Sequence, residues 1–171
     1  MKTIFSKALP YLVLCACLLF TLPARPDPQT DARSASAAPG ERRSFSGEAL
    51  PLRPYLPDEA VWNASLGLWT THPGLDIACT EVAALLPGEA EQVFRDRLWL
   101  WCVCIRSGDA RVLYRSLESV CIKEGEAIAA GEIIGSAGCA PYEAELGPHV
   151  HLEHFPGALP ADPFPLLQAP F

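Results

Sequence analysis

Leu98-Trp99-Leu100-Trp101-Cys102-Val103-Cys104-Ile105, followed by Ser107-Gly108-Asp109 and then Ala110-Arg111-Val112-Leu113-Tyr114, is the stretch that decides the fold class. The first run is apolar on both faces and rich in aromatic and β-branched side chains, which suits a strand covered on each side. A short turn rich in Gly and Asp then leads into a second apolar run, so the pair reads as an antiparallel hairpin. Outward from it, Gly74 to Cys79, Glu81 to Leu86, Val120 to Lys123, Glu132 to Ser136 and His149 to His154 form further short runs. Pro87-Gly88, Gly125, Gly131 and Gly138 punctuate them as turns. Helical periodicity is weak, with room for one turn between Pro57 and Ala64. The expectation is a mainly β domain: an antiparallel sheet folded into a sandwich or half-barrel.

The chain has 171 residues, half of them apolar, enough for one core and a tail. Lys2 and Lys7 precede an apolar run from Ala8 to Leu22, with no charge until Arg25. Residues 1–24 therefore read as an N-terminal apolar helix that anchors the chain in a membrane, with a cleaved signal peptide as the alternative. Either reading places the rest of the chain outside the cytoplasm, in the cell envelope. Residues 25–57 are rich in Pro, Ala and Ser and read as a linker; residues 58–171 form the folded domain. A net charge of −7 without a run of Lys or Arg argues against a nucleic-acid partner. Five cysteines follow the apolar run, an odd number that leaves at least one thiol unpaired in an exported chain.

All four histidines fall in two clusters, Thr71-His72-Pro73-Gly74-Leu75-Asp76 and Gly147-Pro148-His149-Val150-His151-Leu152-Glu153-His154. In a strand, side chains alternate faces, so His149, His151 and Glu153 share one face and His154 takes the other. The Pro-Gly turn between His72 and Asp76 can fold both side chains towards one point. Two imidazoles and a carboxylate suit a zinc ion that keeps one position for water, whose pKa then falls to about 7. Either cluster alone would more simply be a set of ordinary polar residues; their joint presence favours a metal.

The pattern resembles the LytM/lysostaphin-type zinc metallopeptidases, which cut peptide bonds in bacterial peptidoglycan. The resemblance runs from about Thr71 to Leu167. It is carried by His72-Pro73-Gly74-Leu75-Asp76, by Thr80 to Ala84 with the Pro87-Gly88 turn, and by Tyr114-Arg115-Ser116-Leu117. Further along it is carried by Val120 to Gly135, Gly147 to Glu153 and Asp162-Pro163. The resemblance implies a LytM-type fold, with one Zn2+ per chain held by His72, Asp76 and His151. It implies that His149 sits beside the zinc-bound water as the catalytic histidine, and that the substrates are peptidoglycan stem peptides or cross-bridges. Glu153 is a candidate to support a ligand from behind, or a solvated strand residue.

One departure bears on activity. Active members carry a second catalytic histidine in a Tyr-x-His-Leu element, where this chain has Ser116. A hydroxyl does not carry protons near neutral pH as an imidazole does, and losing one acid–base group removes about 10²–10⁴-fold of rate. The bulky segment Phe94 to Trp101 narrows the expected substrate groove, or its tryptophans simply pack in the core or hairpin. Tyr-x-Ser-Leu, an anchor and an external domain are similar to SpoIIQ-type sporulation proteins of the same family, which bind a partner membrane protein. Some of those have lost a zinc-ligand histidine, whereas this chain keeps all three residues. Two functional readings follow: a zinc endopeptidase weakened by Ser116, or a weakly active or inactive anchored module that binds a partner. A third, a structural domain whose histidines bind nothing, is the bland alternative.

Overall fold

The computed structural model describes residues 50–169. The expected membrane segment and most of the expected linker lie outside them. Among the described residues no helix is long and apolar enough to cross a membrane.

Eleven strands form in chain order: β1 (Leu50–Arg53), β2 (Leu56–Asn63), β3 (Leu68–His72), β4 (Leu75–Ala78), β5 (Glu81–Ala83) and β6 (Gly88–Asp96), then β7 (Leu100–Ser107), β8 (Ala110–Val120), β9 (Ala127–Ile128), β10 (Ile133–Ala137) and β11 (Val150–Phe155). A 3-10 helix spans Pro141–Leu146 and a short helix, α1, spans Phe164–Gln168. The pairing is antiparallel throughout: β1-β4-β11-β8-β7-β6-β9 in one sheet, with β10 bridging β8 and β5, and β2-β3 as a separate pair. The fold is mainly β and antiparallel, as the sequence implies.

The hairpin of β7 and β8 forms as the pattern predicts, and it supplies the centre of the core. Val103, Ile105, Val112, Tyr114 and Leu117 are fully buried and pack with Ile77, Ile134, Val150 and Leu152. Tyr114 also accepts the Leu85 N–H on its hydroxyl at 2.7 Å, which satisfies both groups inside the core. Burial raises the Tyr114 hydroxyl well above its ordinary value.

Several elements depart from the reading of the sequence. Residues 50–57, taken for linker, carry β1 and the start of β2, and Arg53 stands opposite Asp76 on β4. Pro57 to Ala64 holds no helical turn; β2 pairs with β3, and Trp62 meets Trp69 edge-on across the pair. The expected strand from Val120 to Lys123 is only the end of β8, which runs well past Tyr114. At a bulge between β7 and β8, Leu100 and Ser116 both take positive φ, at 60° and 64°. This conformation is unusual for residues with a Cβ. It leaves Trp99 placed before β7, with its carbonyl accepting the Ser116 N–H at 2.9 Å.

Candidate metal centre

Four separate elements converge on one buried point. β11 lies between β4 and β8, and its register sets His151 directly opposite Asp76 on one side and Arg115 on the other. Its alternate residues Val150 and Leu152 go into the core, so the pleat turns His151 towards the site. His72 ends β3, and Pro73-Gly74 joins it to β4. The turn packs so closely beneath the His151 ring that a side chain at Gly74 would lie 2.5 Å from His151 Cε1. His149 precedes β11 in a single bridge to Gly138. The 3-10 helix supplies Glu143, whose neighbour Tyr142 is tied down on two sides: its N–H donates to Leu98 O at 3.0 Å, and its carbonyl accepts Asn63 Nδ2 at 2.9 Å.

His72, Asp76, Glu143 and His151 are each no more than 2 % exposed, and one donor atom of each lies within 4.8 Å of the others. His151 Nδ1 lies 2.7 Å from Asp76 Oδ1, His72 Nε2 3.1 Å from Asp76 Oδ2, and the two ring nitrogens 3.3 Å apart. Glu143 Oε2 lies 3.4 Å from His151 Nδ1, and Oε1 lies 3.6 Å from His72 Nε2. Ligands about 2.0–2.1 Å from a tetrahedral zinc stand about 3.3 Å apart, and these separations straddle that value.

The opposite ring nitrogens fix which lone pairs are presented. His72 Nδ1 donates to the Pro54 carbonyl at 2.7 Å, leaving Nε2 bare towards the cluster. His149 Nδ1 donates to the Gly147 carbonyl at 2.8 Å, leaving Nε2 bare 3.5 Å from Glu143 Oε2. Glu153 Oε1 stands 3.6 Å behind His151 Nε2 and is itself 2.8 Å from Arg115 Nε. Bare nitrogens therefore face carboxylate oxygens. Asp76 Oδ2, Glu143 Oε2 and His149 Nε2 are buried without a hydrogen-bond partner. Buried acceptors facing one another are costly unless a proton or a cation lies between them, so this donor set fits a divalent ion.

The electrostatics agree. Burial alone would raise the carboxyls of Asp76 and Glu143, but the facing imidazoles, His151 and His72 for Asp76 and His149 and His151 for Glu143, outweigh it and hold both below the ordinary range. Burial alone would lower His151; Asp76, Glu143 and Glu153 overcome it and raise the ring well above its ordinary value. His149 is raised in the same way, by Glu143 and the Gly147 carbonyl against its own desolvation. A field that holds extra protons on buried imidazoles also attracts a metal cation.

The structure thus brings His72, Asp76 and His151 together, with His149 beside them through Glu143 and Glu153 behind His151. Among the described residues, Ser116 makes no hydrogen bond to His72, Asp76, Glu143 or His151; its hydroxyl shares the Gly138 carbonyl with the His149 N–H. It is fully buried, its hydroxyl donating to Gly138 O at 3.0 Å and accepting the Ala140 N–H at 3.2 Å. Arg115 takes the position nearer the opening: a cavity of about 130 Å3 lies over the donors, lined in part by Arg115, Trp99, Tyr142 and Thr71. Trp99, in the segment expected either to narrow a groove or to pack in the core or hairpin, stacks on Tyr142 and covers His151, with ring centroids 4.5 Å apart in each pair. The Arg115 guanidinium lies 5.2 Å over the same indole.

Sequence reasoning missed Glu143 and Arg53, and for Trp99 it offered both a groove-narrowing and a packing role, of which the lining of the cavity favours the first. The only local signal for Glu143 is an acidic residue in Pro141-Tyr142-Glu143, shortly before Gly147-Pro148-His149. Arg53 was hidden in a segment with the composition of a linker.

The sequence pattern of peptidase family M23 matches residues 70–163, more than half of the chain. The chain belongs to peptidase family M23. The matched span begins in β3 and takes in every histidine of both clusters. Among curated proteins none is significantly similar in sequence. Solved M23-like structures are similar in fold. A chain of the SpoIIIAH–SpoIIQ complex superposes with TM-score 0.63 at 20% identity, covering 73% of this chain and 96% of that one. The catalytic domain of the antimicrobial peptidase lysostaphin from Staphylococcus simulans gives 0.58 at 24% identity, covering 71% and 93%. A zinc containing peptidase from Vibrio cholerae gives 0.59 at 18% identity, covering 75% of this chain and 40% of that one. At these identities the likeness is one of fold. It spans peptidases and the SpoIIIAH–SpoIIQ complex alike.

Proposed function

We propose that this M23 chain is an extracytoplasmic, membrane-anchored module that binds one zinc ion through His72, Asp76 and His151 and hydrolyses peptidoglycan slowly or not at all. On this reading it works as SpoIIQ does in its complex, by binding a partner protein during sporulation, through an edge of its sheet. The observation that carries the reading is the state of position 116. A neutral hydroxyl stands there, spent on Gly138 and Ala140. His149 is then the one imidazole beside the donor set able to carry a proton without also being a ligand.

Bound at such a site, zinc would act as a Lewis acid on a water or carbonyl oxygen. The chain's own groups would do the rest. His149 Nε2 can hold or pass a proton, its ring oriented by Gly147 O. Glu153 sets a negative charge 3.6 Å behind His151 Nε2. Trp99 and Tyr142 screen the donors from water, and Arg115 sets a positive charge at the opening. Missing is a second proton carrier, a deficit of about 10²–10⁴-fold in rate.

The second reading, a slow zinc endopeptidase acting on stem peptides or cross-bridges, draws on the retained His149 and on the cavity above the donors. Incubating the zinc-loaded chain with purified peptidoglycan and counting new amino termini separates the two. Release more than about 10⁴-fold slower than by lysostaphin, beyond the deficit of one lost acid–base group, is expected; release within that deficit overturns the binding-module reading in favour of the slow endopeptidase.

A further inference from the structure

We propose that Glu143 is a fourth protein ligand, so that the metal sits in a closed site of two imidazoles and two carboxylates with no position left for water or substrate. This extends the zinc reading above and rests on it.

Glu143 reaches the donors from a different element than the other three, and it comes as close to them as they come to one another. Its Oε2 lies 3.4 Å from His151 Nδ1 and its Oε1 3.6 Å from His72 Nε2, while the two ring nitrogens are 3.3 Å apart. The residue is 1 % exposed, and Oε2 has no hydrogen-bond partner although it points into the cluster. Arg53 answers Oε1, but a carboxylate oxygen buried without any partner of its own is rare, and Oε2 is one.

The carboxylate is also held in place. Arg53 Nη1 donates to Oε1 at 3.0 Å, and the same guanidinium donates to Glu145 Oε1 at 2.9 Å. Glu145 is bonded in turn to the Ser65 hydroxyl. With Oε1 engaged by Arg53, Oε2 remains for the metal. The 3-10 helix that carries Glu143 is braced by Asn63, by Leu98 O and by the Trp99–Tyr142 stack.

Structural zinc sites are closed and four-coordinate, whereas catalytic sites keep one position open. A closed set here makes the ion a clamp joining β3, β4, β11 and the 3-10 helix. It also gives a reason for silent hydrolysis that is separate from Ser116.

The test loads the full chain with Co2+ and follows its visible d–d absorption while azide, a small ligand for an open metal position, is added. The wild-type spectrum is expected to stay four-coordinate and unchanged. Glu143→Ala and the shape-conserving Glu143→Gln should each open a position, so that azide shifts the bands. Zinc affinity should fall by more than the roughly 10–100-fold that losing a merely orienting partner costs. An azide-induced shift in the wild type overturns the closed site while leaving the zinc reading intact, and this measurement needs no variant to fold. Wild-type zinc affinity in both variants overturns it equally. A folded chain that takes up neither cobalt nor zinc overturns the zinc reading, and this inference with it.

Discussion

Gly74→Ala is expected to weaken metal binding without touching a ligand. A Cβ built there would lie 2.5 Å from His151 Cε1 and 2.8 Å from the Leu152 carbonyl oxygen. Ordinary contact needs about 3.5 Å, so the imidazole has to recede by about 1 Å. The Leu152 carbonyl belongs to central strand β11 and gives less easily than a ring. Metal–ligand distances tolerate about ±0.2 Å, several times less than that shift. Displacing a ligand ring on this scale should cost at least what losing its orienting partner costs, about 10–100-fold in zinc affinity. That equals about 1.4–2.8 kcal/mol at 1.4 kcal/mol per tenfold. The crowding also lowers the stability of the metal-free chain, by about 1–3 kcal/mol for overpacking. The diagnostic quantity is therefore the difference between zinc-loaded and metal-free chains. Thermal unfolding of both forms, with zinc affinity from chelator competition, should show the zinc-induced gain shrinking by that amount. A Gly74→Ala chain that keeps the full wild-type gain would refute the placement of the His151 ring over the turn.

Chelation should reverse the pH dependence of stability. His149 and His151 have raised folded values, so their stabilising contribution is complete below the ordinary value of about 6.5 and is lost as pH climbs through the raised values. Asp76, Glu143 and Glu153 are lowered, so theirs is present above about pH 4.5 and lost as pH falls through the lowered values. Urea titrations should thus find the metal-free chain most stable between about pH 4.5 and 6.5 and weaker at pH 8, whereas excess zinc removes the decline on the alkaline side. His149→Ala should retain zinc and lose whatever slow hydrolysis the wild type shows; loss of the metal as well would make His149 a ligand. Tyr114→Phe leaves the buried Leu85 N–H without its acceptor and should cost about 1–3 kcal/mol, with zinc uptake unchanged.

The hairpin of β7 and β8 was legible because burial on both faces demands a continuous apolar run. β11 was legible through its alternation. β6 was not: in Gly88–Asp96 only Ala90 is fully buried, so its charged residues hide the strand period. β1 and β2 were hidden by Pro and by the composition of their surroundings, since pairing with β4 and β3 is a tertiary fact that no local propensity carries. At the site, spacing and alternation put His149 and His151 on one face and His72 and Asp76 around one turn; the set of His72, Asp76 and His151 came from the family resemblance. Glu143 came from neither, because its position depends on a 3-10 helix fastened by partners as far away as Asn63 and Arg53. Trp99 was left between groove and packing because nothing local announces the positive φ of Leu100 and Ser116. That bulge sets an indole over His151 and leaves Arg115 nearer the opening.

Zinc content of the purified, folded full chain tests the central claim most directly, with His151→Ala measured alongside. One zinc per chain in the wild type, and none in a variant that still shows the β-sheet signature in circular dichroism, is the expected result. A wild-type chain that stays folded yet binds no zinc in its presence would contradict the account.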